Sequence, residues 1–342
     1  MSETSVDVLE RFNSSTPSKR LAAKLIAPRK WTVEESPIPD PAVGEVRMRM
    51  LGCGVCVSGL PMWQGRDWFT YPIEPGQLGH EGWGIVEAFG EHAETSGLKL
   101  GDRVAFLADG SYATYVCVAA SEVIALPAEL EDRPFPAEPV GCAVNVFRRS
   151  GIKKGDTVLI VGLGFLGCLL LQLVKDAGAK AVCVTSRPFV RRLADELGAY
   201  VTVPMAEAWK VRESLEREGL SEFPVVMECT GYAGGLNVAS EFVAERGRLV
   251  IAGYHQDGLR EVNMQQWNWR GIDVINAHER APDVYTEGMH EGIRLAAGGA
   301  LSLDRLLTHR YPLERINEAY QDLEDRPDGF VKGWIDLEGT EP

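Results

Sequence analysis

The pattern of apolar and polar positions changes part-way along the chain. From about residue 20 to 130, short runs rich in β-branched and aromatic residues are separated by glycine, proline and aspartate, which predicts strands and turns. Beyond residue 150, strand-like apolar runs alternate with helical segments: strands at 156–162, 181–186, 225–231 and 247–254, and helices at 165–179 and 189–199. This alternation predicts a parallel sheet covered by helices on both faces.

A helix is expected where the two patterns meet. Residues 136–152 have helical spacing, and Pro139 suits a first turn. Two further helical segments and a last strand close the sequence. The length of 342 residues is enough for two cores. The sequence therefore predicts an α/β protein, with a β-rich domain joined to a doubly wound Rossmann domain.

Composition narrows the possible partners and the compartment. The formal net charge of −14 argues against binding to nucleic acid, whose phosphates select basic surfaces. No apolar run approaches the roughly 18 residues of a membrane span. Residues 1–18 are polar and lack the apolar core of a signal peptide, so we expect a flexible N-terminal tail. Seven scattered cysteines, an odd number, predict reduced thiols in a cytoplasmic protein rather than a disulfide framework.

A glycine-rich turn lies between the first predicted strand and helix of the Rossmann region. In VLIVGLGFLG the spacing is G-x-G-x-x-G: Gly162 permits a tight turn, Gly164 lets a pyrophosphate approach the backbone, and Gly167 lets the helix pack on the strand. The context of strand, helix and further alternation predicts a dinucleotide site. Its expected cofactor-binding set also includes Phe165, Leu166 and Lys332.

The end of the second strand indicates which dinucleotide binds. An acidic residue there would bond the ribose hydroxyls of NAD(H) and repel a 2′-phosphate. This chain instead has Thr185, Ser186 and Arg187, followed by Arg191 and Arg192 one helical turn later. A hydroxyl and guanidinium groups suit a phosphate dianion, so NADP(H) is favoured over NAD(H). One of the two later arginines is expected to belong only to the solvated helix face.

Three separated segments contain residues of types that commonly bind metals. Cys56 follows a strand, His80 and Glu81 are adjacent, and Glu138 and Cys142 are four residues apart on one helix face. A thiolate, an imidazole and one or two carboxylates form a mixed set suited to catalytic Zn²⁺, which keeps one position open for water or substrate.

Taken together, these motifs resemble one family. GHEGWGIVEAFGEHA, with GCGVCVS before it and LKLGDRVA and SGIKKGDTVLIVGLGFLG after it, resembles the zinc-dependent alcohol dehydrogenase branch of the medium-chain dehydrogenase/reductase family, over nearly the whole chain from about residue 20. The resemblance implies a GroES-like catalytic domain (19–142 and 284–342) interrupted by a Rossmann domain (143–283). It also implies an active site in the cleft between them.

The resemblance assigns the metal ligands residue by residue. The first ligand falls on Cys56 and the second on His80, while Glu81 matches an acid that binds zinc directly or lies just behind it. The last ligand is Glu138 in polyol and threonine branches and Cys142 in other branches; we favour Glu138. We expect His80 to be brought inward by tight turning at three glycines, Gly79, Gly82 and Gly84.

The chain departs from many relatives in two places. The segment GDRVAFLADGSYATYVCV has one cysteine where a structural-zinc lobe would have four, so we expect one catalytic zinc and no structural zinc. Pro61 occupies the position of an outer proton-relay histidine. Ser58, two residues after Cys56, still matches the inner relay hydroxyl.

The expected function is hydride transfer between NADP(H) and a secondary alcohol or ketone. The loop 61–72 combines aromatic residues with Arg66 and Asp67, which suits a polyol, sugar or cyclitol but equally a packed surface loop. Two alternatives remain: a metal-free medium-chain reductase acting on quinones or enoyl groups, and a nucleotide-binding protein without catalysis. The expected partners are a small-molecule substrate and, from the family, a second copy in a homodimer or homotetramer.

Overall fold

The computed structural model describes residues 18–130, 132–217, 219 and 222–340. The predicted N-terminal tail, apart from Ser18, lies outside these residues. Within the described residues, no helix is long and apolar enough to cross a membrane.

Apart from short 3-10 turns, the described residues form fifteen strands and nine α-helices, numbered here in chain order. The strands are β1 (Lys19–Ala27), β2 (Lys30–Pro37), β3 (Glu45–Gly54), β4 (Gly82–Phe89), β5 (Arg103–Phe106), β6 (Tyr115–Ala119), β7 (Val123–Ala125), β8 (Thr157–Val161), β9 (Lys180–Thr185), β10 (Val201–Pro204), β11 (Phe223–Glu228), β12 (Val243–Ile251), β13 (Asp273–Asn276), β14 (Leu307–Pro312) and β15 (Lys332–Asp336). The helices are α1 (Leu60–Gln64), α2 (Ala137–Ser150), α3 (Phe165–Asp176), α4 (Pro188–Leu197), α5 (Val211–Arg217), α6 (Ala233–Glu241), α7 (Met264–Arg270), α8 (Pro282–Ala297) and α9 (Ile316–Asp325).

The second half of the chain contains the predicted doubly wound sheet. Six parallel strands lie in the order β10-β9-β8-β11-β12-β13, so the strand order reverses next to β8. All five residues of β8 are buried, as expected for a central strand covered on both faces. In open α/β sheets ligands bind at the carboxyl ends of the strands beside such a reversal, which here is the glycine loop after β8.

The first part of the chain forms a separate β-rich body. Strands β1 and β2 make an antiparallel pair, and seven strands form a second sheet in the order β14-β15-β3-β4-β5-β7, with β6 paired to β3. The C-terminal strand β15 pairs antiparallel with β3. The end of the chain therefore returns to the domain in which it began, and Lys332 lies beside the strand that leads to Cys56.

Helices α2 and α8 join the two bodies through an unusually close contact. A β-carbon on Gly141 of α2 would lie 2.9 Å from the backbone nitrogen of Met289, and one on Gly288 of α8 would lie 2.6 Å from the Asn145 amide. Glycine at these positions lets the two helix backbones approach closely. The predicted domain boundaries, 142/143 and 283/284, each fall inside one of these helices, so each helix is continuous across its boundary.

The strands and helices predicted from alternation are confirmed with shifts of a few residues. The predicted strand 156–162 is β8 and the predicted helix 165–179 is α3, which ends earlier, at Asp176. The edge strands β10 and β13 were not predicted. Both are four residues long, too short for a periodic signal.

Candidate active site

The glycine loop after β8 packs closely on itself and leaves open space beside one of its glycines. Gly162 has a φ of +96°, and a β-carbon on Gly167 would lie 2.2 Å from the carbonyl oxygen of Gly162. These two glycines serve the tight turn and the packing of helix on strand, as predicted. A β-carbon on Gly164 would meet no atom within 4 Å, so the space beside this residue is open. An open space at a helix N-terminus is suited to a pyrophosphate.

Arg187, predicted for the cofactor phosphate, also holds the two domains together. Its Nη2 donates to the carbonyl oxygen of Leu163 at 2.9 Å, inside the glycine loop, and its Nη1 donates to the carbonyl oxygen of Phe330 in the C-terminal return. Burial, reinforced by nearby Arg326, lowers the pKa of the guanidinium. Arg187 is therefore at the nucleotide end of the cleft, with part of its donor capacity used by backbone carbonyls.

The other residues predicted for the cofactor have varied surroundings. Thr185 is buried at the end of β9, while Ser186 is exposed. Arg192 lies over the ring of Phe189 in its own helix, 6.0 Å from the centroid, which fits the expectation that one of the two helix arginines is part of the solvated face. Arg191 is half-buried.

Three of the predicted metal ligands come together. One ligand atom each from Cys56, His80 and Glu81 lies within 4.8 Å of the others. Cys56 follows β3, and the other two residues directly precede β4, which pairs with β3. The pairing of these neighbouring strands therefore brings Cys56 together with side chains 24 and 25 residues later in the sequence.

His80 is oriented so that one ring nitrogen faces the group. Its Nδ1 lies 3.0 Å from the carbonyl oxygen of Leu78 and its Nε2 lies 3.5 Å from Ser58 Oγ. A carbonyl can only accept, so Nδ1 carries a hydrogen, and Nε2 is the ring nitrogen that would bind a metal in place of a proton. Burial alone would lower the pKa of His80, but the hydrogen bond to Cys56 and the charges of Cys56, Glu138 and Glu81 raise it to about 10. The same negative surroundings favour a bound cation.

Glu81 is buried with one oxygen paired and the other without a partner. Its Oε1 receives a 2.6 Å ion pair from Lys332 Nζ, while Oε2 is buried and has no hydrogen-bond partner among the described residues. An unsatisfied buried carboxylate oxygen is costly unless something binds it. The orphaned oxygen and the mixed donor set of Cys56, His80 and Glu81 fit a catalytic zinc ion.

Glu138 and Cys142, the alternatives for the last ligand, both contact the hydroxyl group of Tyr285. Tyr285 donates a hydrogen bond to Glu138 Oε1, and its oxygen lies 2.7 Å from Cys142 Sγ. Burial raises the pKa of Glu138, and the charge of Glu81 adds to this rise against the opposing charge of His80. Neither Glu138 nor Cys142 belongs to the group of ligand atoms that lie within 4.8 Å of one another.

Comparisons with known proteins agree with this geometry. The family model for the alcohol dehydrogenase GroES-like domain matches residues 42–128, and the model for zinc-binding dehydrogenases matches residues 166–293. The chain belongs to the zinc-dependent alcohol dehydrogenases of the medium-chain family. It is thus an NAD(P)-dependent oxidoreductase of that family, with a GroES-like domain and a Rossmann domain, as predicted.

Several members of the family resemble this dehydrogenase over most of its length. The sorbitol dehydrogenase of Gallus gallus is 29% identical over 333 residues, covering 84% of this chain and 89% of the relative. The D-arabitol-phosphate dehydrogenase of Enterococcus avium is 25% identical, covering 83% and 88%. A Sinorhizobium meliloti protein described as a zinc-binding dehydrogenase, solved with NADP bound, is 26% identical with a TM-score of 0.79, covering 93% of this chain and 99% of the other.

The glycines around His80 in this dehydrogenase act differently from the prediction. Gly79, Gly82 and Gly84 do not have positive φ angles, so tight turning was the wrong explanation. A β-carbon on Gly79 would lie 2.5 Å from the backbone nitrogen of Tyr112, and one on Gly84 would lie 2.5 Å from the Arg49 carbonyl oxygen. These glycines let the segment lie against neighbouring backbone, while the left-handed conformation falls on Gly76 and Leu78.

Two contacts in the site of this dehydrogenase, those made by Lys332 and Tyr285, were not predicted from the sequence. Lys332 was predicted for the cofactor, but it is buried and ion-paired to Glu81, with its Nζ 5.0 Å from the Phe165 ring centroid. Its contact with a cofactor stays a prediction. Tyr285 belongs to no motif, and no spacing in the sequence links α8 to α2. A lysine within the apolar last strand GFVKGWIDL was the one available signal in the sequence.

Replacing Gly54 with alanine should weaken metal binding. A β-carbon at this position would lie 1.8 Å from Glu81 Oε2, so the carboxylate would have to move away from Cys56 and His80. We expect zinc affinity to fall about 10- to 100-fold, as for other losses of ligand orientation, measured by chelator competition on the purified protein.

Gly234→Ala is the matched control, because a β-carbon there would meet no atom within 4 Å. Both variants should still bind nucleotide in the Rossmann domain, which checks that they are folded. Wild-type zinc affinity in a folded Gly54→Ala protein would contradict a direct role of Glu81 at the metal.

Proposed function

We propose that the chain transfers hydride between NADP(H) and a secondary alcohol or its ketone, with a polyol, sugar or cyclitol as substrate class, at a single zinc ion. The observation that carries the proposal is the closeness of the metal-ligand group to the nucleotide loop. Lys332 pairs with Glu81 at 2.6 Å, and its Nζ lies 5.0 Å from the centroid of Phe165, which follows Gly164 in that loop. A nicotinamide and a substrate carbinol would share this part of the cleft.

The ligands proposed for zinc are Cys56, His80 and Glu81, with Glu138 as the last. When bound, zinc supplies Lewis-acid polarisation of the substrate oxygen, and the nicotinamide supplies or accepts the hydride. The proposal of one zinc is supported by the connection from β5 to β6, residues 107–114, which contains no cysteine. A metal-free reductase would have no use for a buried Glu81 oxygen without a partner.

Ser58 is the proposed proton carrier. It is half-buried, and its Oγ lies 3.5 Å from His80 Nε2, at the edge of the ligand group. From there its hydroxyl would accept the proton of the substrate oxygen during oxidation while it passes its own proton to solvent, and both transfers would reverse during reduction. Pro61, in the position of an outer relay, carries no titratable group, so the side-chain relay ends at Ser58.

The loop after Cys56 supports a hydroxyl-rich substrate. Trp63 is in the core and unavailable, whereas Trp68 is 65% exposed, with the Arg66 guanidinium 5.7 Å from its ring centroid. Arg66 Nη1 donates across the cleft to the Gln256 carbonyl oxygen, and the Gln256 amide donates to the carbonyl oxygen of Val57. An aromatic face beside polar groups suits a ring or chain with many hydroxyls, and the relatives named for sorbitol and D-arabitol phosphate support the same class.

The test of this function is a panel of polyols, cyclitols and their phosphates, with reduced-cofactor absorbance as readout. We expect turnover with at least one member and about a 10²- to 10⁴-fold lower kcat for Ser58→Ala, the usual effect of losing a general acid–base group. Zinc content of that variant should stay at the wild-type level, because Ser58 is not a ligand.

Cys56→Ala is the companion variant, and it should lose both bound zinc and turnover. Turnover by a protein without zinc, unaffected by Cys56→Ala, would instead favour the metal-free reductase. Nucleotide binding without turnover of any alcohol or ketone would favour the non-catalytic alternative.

The preference for NADP(H) is supported by positive charge at the end of β9. Arg187 and Arg326, from opposite sides of the cleft, line one cavity of about 220 Å³ together with Asp328 and Phe330. Ser186 is exposed at the same strand end. The NADP-bound neighbour from S. meliloti is consistent with this cofactor.

Arg326→Gln should therefore raise the KM for NADP(H) about 10- to 100-fold, the cost of one charge-assisted contact, and leave the KM for NAD(H) unchanged. Arg326 is preferred to Arg187 for this test because Arg187 also binds two backbone carbonyls. The matched control is Arg192→Gln, whose guanidinium lies over its own helix. A parallel loss for both cofactors, or a wild-type preference for NAD(H), would contradict the assignment.

A homodimer is proposed from the free edge of the parallel sheet. Strand β13 pairs only with β12 among the described strands. On it Val274 is exposed, and in the preceding helix α7 Trp269 is 89% exposed. An apolar sheet edge of this kind is usually covered, and two copies related by a twofold axis would cover each other.

Val274→Lys should shift sedimentation at micromolar concentration from dimer to monomer, because it places a charge on the shared edge. Trp209→Lys is the control, since Trp209 is also an exposed apolar side chain but follows β10 at the opposite edge of the sheet. A wild-type monomer, or a dimer insensitive to Val274→Lys, would rule out this interface.

A further inference from the structure

A second buried carboxylate, Glu228, lies on the nucleotide side of the cleft. It is the last residue of β11, which pairs with β8, and it is completely buried. Its Oε1 accepts hydrogen bonds from the backbone nitrogens of Thr230 at 2.6 Å and Gly231 at 3.1 Å, and from the Thr230 hydroxyl. Thr230 in turn packs against the glycine loop, since a β-carbon on Gly162 would lie 2.5 Å from its Cγ2. The carboxylate therefore fixes the strand end that lies behind the nucleotide loop.

His255 connects this carboxylate to a guanidinium. Its Nε2 lies 3.0 Å from Glu228 Oε2, and its Nδ1 lies 2.8 Å from Arg260 Nε. A guanidinium can only donate, so Nδ1 is the acceptor, and the ring hydrogen is on Nε2, which donates to the carboxylate. Arg260 Nη2 also donates to the carbonyl oxygen of Gly231 at 3.2 Å. Both ends of residues 255–260, here called the His255 segment, are thus attached to the end of β11.

Side-chain contacts have to hold this segment, because regular backbone structure does not. Residues 252–263 lie between β12 and α7 and form no helix or strand. Only the approach to the segment is fixed by the backbone. Gly253 donates to the carbonyl oxygen of Glu228 at 2.8 Å, and a β-carbon on Gly253 would lie 2.3 Å from the backbone nitrogen of Gly231. From His255 onward the path of the chain depends on the imidazole and its two partners.

The residue after His255 spans the cleft. The carbonyl oxygen of Gln256 accepts a 3.1 Å hydrogen bond from Arg66 Nη1, and its side-chain amide donates to the carbonyl oxygen of Val57 at 3.4 Å. Val57 directly follows Cys56 in the sequence. The His255 segment, held on the Rossmann side, therefore contacts the loop after Cys56 at two points.

We propose that His255 is a positioning residue for the substrate side of the cleft. By joining Glu228 to Arg260 it fixes the His255 segment, and through Gln256 it determines where Arg66 stands opposite the nucleotide loop. The same carboxylate holds the strand end behind the glycine loop, so one buried charge organises both sides of the cleft. The inference rests on the proposed function, to which it adds the group that places the substrate contacts.

The first measurement needs no turnover. In protein labelled with 5-fluorotryptophan, the fluorine signal of Trp68 reports on Arg66, whose guanidinium lies 5.7 Å from that ring centroid. His255→Ala should shift or broaden this signal, because Gln256 no longer holds Arg66 in place. The signal of Trp63, which is buried in α1, should not move. Each signal is assigned with the corresponding tryptophan-to-phenylalanine variant.

Two variants of the same segment serve as controls. The amide of His255→Gln can donate to Glu228 and accept from Arg260, so it should restore the wild-type Trp68 signal. Leu259→Ser changes a fully exposed side chain and should leave that signal unchanged. Arg260→Met, which keeps the imidazole on Glu228, should displace the signal and gives a second arm if His255→Ala does not fold. An unchanged Trp68 signal in a nucleotide-binding His255→Ala protein, or an equal displacement in Leu259→Ser, would overturn the proposal.

Steady-state constants separate positioning from general destabilisation. With a substrate from the panel, His255→Ala should raise KM about 10-fold, the worth of one charged hydrogen bond, while the Kd for NADP(H) stays within about twofold. In an Arg66→Ala background the same change should have little further effect, because it acts through Arg66. Additive losses would overturn the proposal. The expected fluorine result without turnover of any alcohol or ketone would support the positioning of Arg66 by His255 but overturn the proposed function.

Discussion

The buried ion pair between Lys332 and Glu81 is the interaction on which the site depends. It joins residues 251 positions apart, from the last strand to the segment before β4, and both side chains are almost fully removed from solvent. A buried charge is tolerated only when it is paired, so the C-terminal return of the chain is a condition for the Glu81 carboxylate to exist at the site. Burial, the largest single influence, disfavours the charged lysine, but the charges of Glu81, Cys56 and Glu138 and the hydrogen bond to Glu81 together outweigh it and raise the pKa of Lys332.

The ion pair also leaves an excess of negative charge at the site. Lys332 occupies only one oxygen of Glu81, and the other oxygen, together with Cys56 and Glu138, surrounds His80 with negative charge. A low-dielectric pocket with more acceptors than donors is stable only when a cation or protons complete it. In zinc enzymes the metal ion is that cation. The excess of negative groups in the pocket therefore also explains why a metal ion is the cofactor bound there.

The two domains are connected at each end of the cleft by contacts that also involve functional residues. Arg187 binds the glycine loop and the C-terminal return at the nucleotide end, and Lys332 lies between Glu81 and Phe165 near the metal. Arg66 and Gln256 bridge the cleft beside the loop after Cys56. Movement of one domain relative to the other would therefore displace the glycine loop, the group of ligand atoms and the loop after Cys56 together.

The parts of this protein that depend on short spacing could be predicted from the order of its residues alone. Three glycines at fixed intervals, a G-H-E segment before a strand and the alternation of strand and helix encode local geometry, so the fold, the glycine loop and the grouping of three candidate metal ligands could be predicted from them. Tertiary structure decided which distant group each side chain meets: Lys332 on Glu81, Tyr285 on Glu138, Trp63 in the core and Trp68 at the surface. These contacts depend on how closely whole elements pack, as where Gly141 and Gly288 let α2 and α8 approach, and spacing along one segment carries no information about that distance.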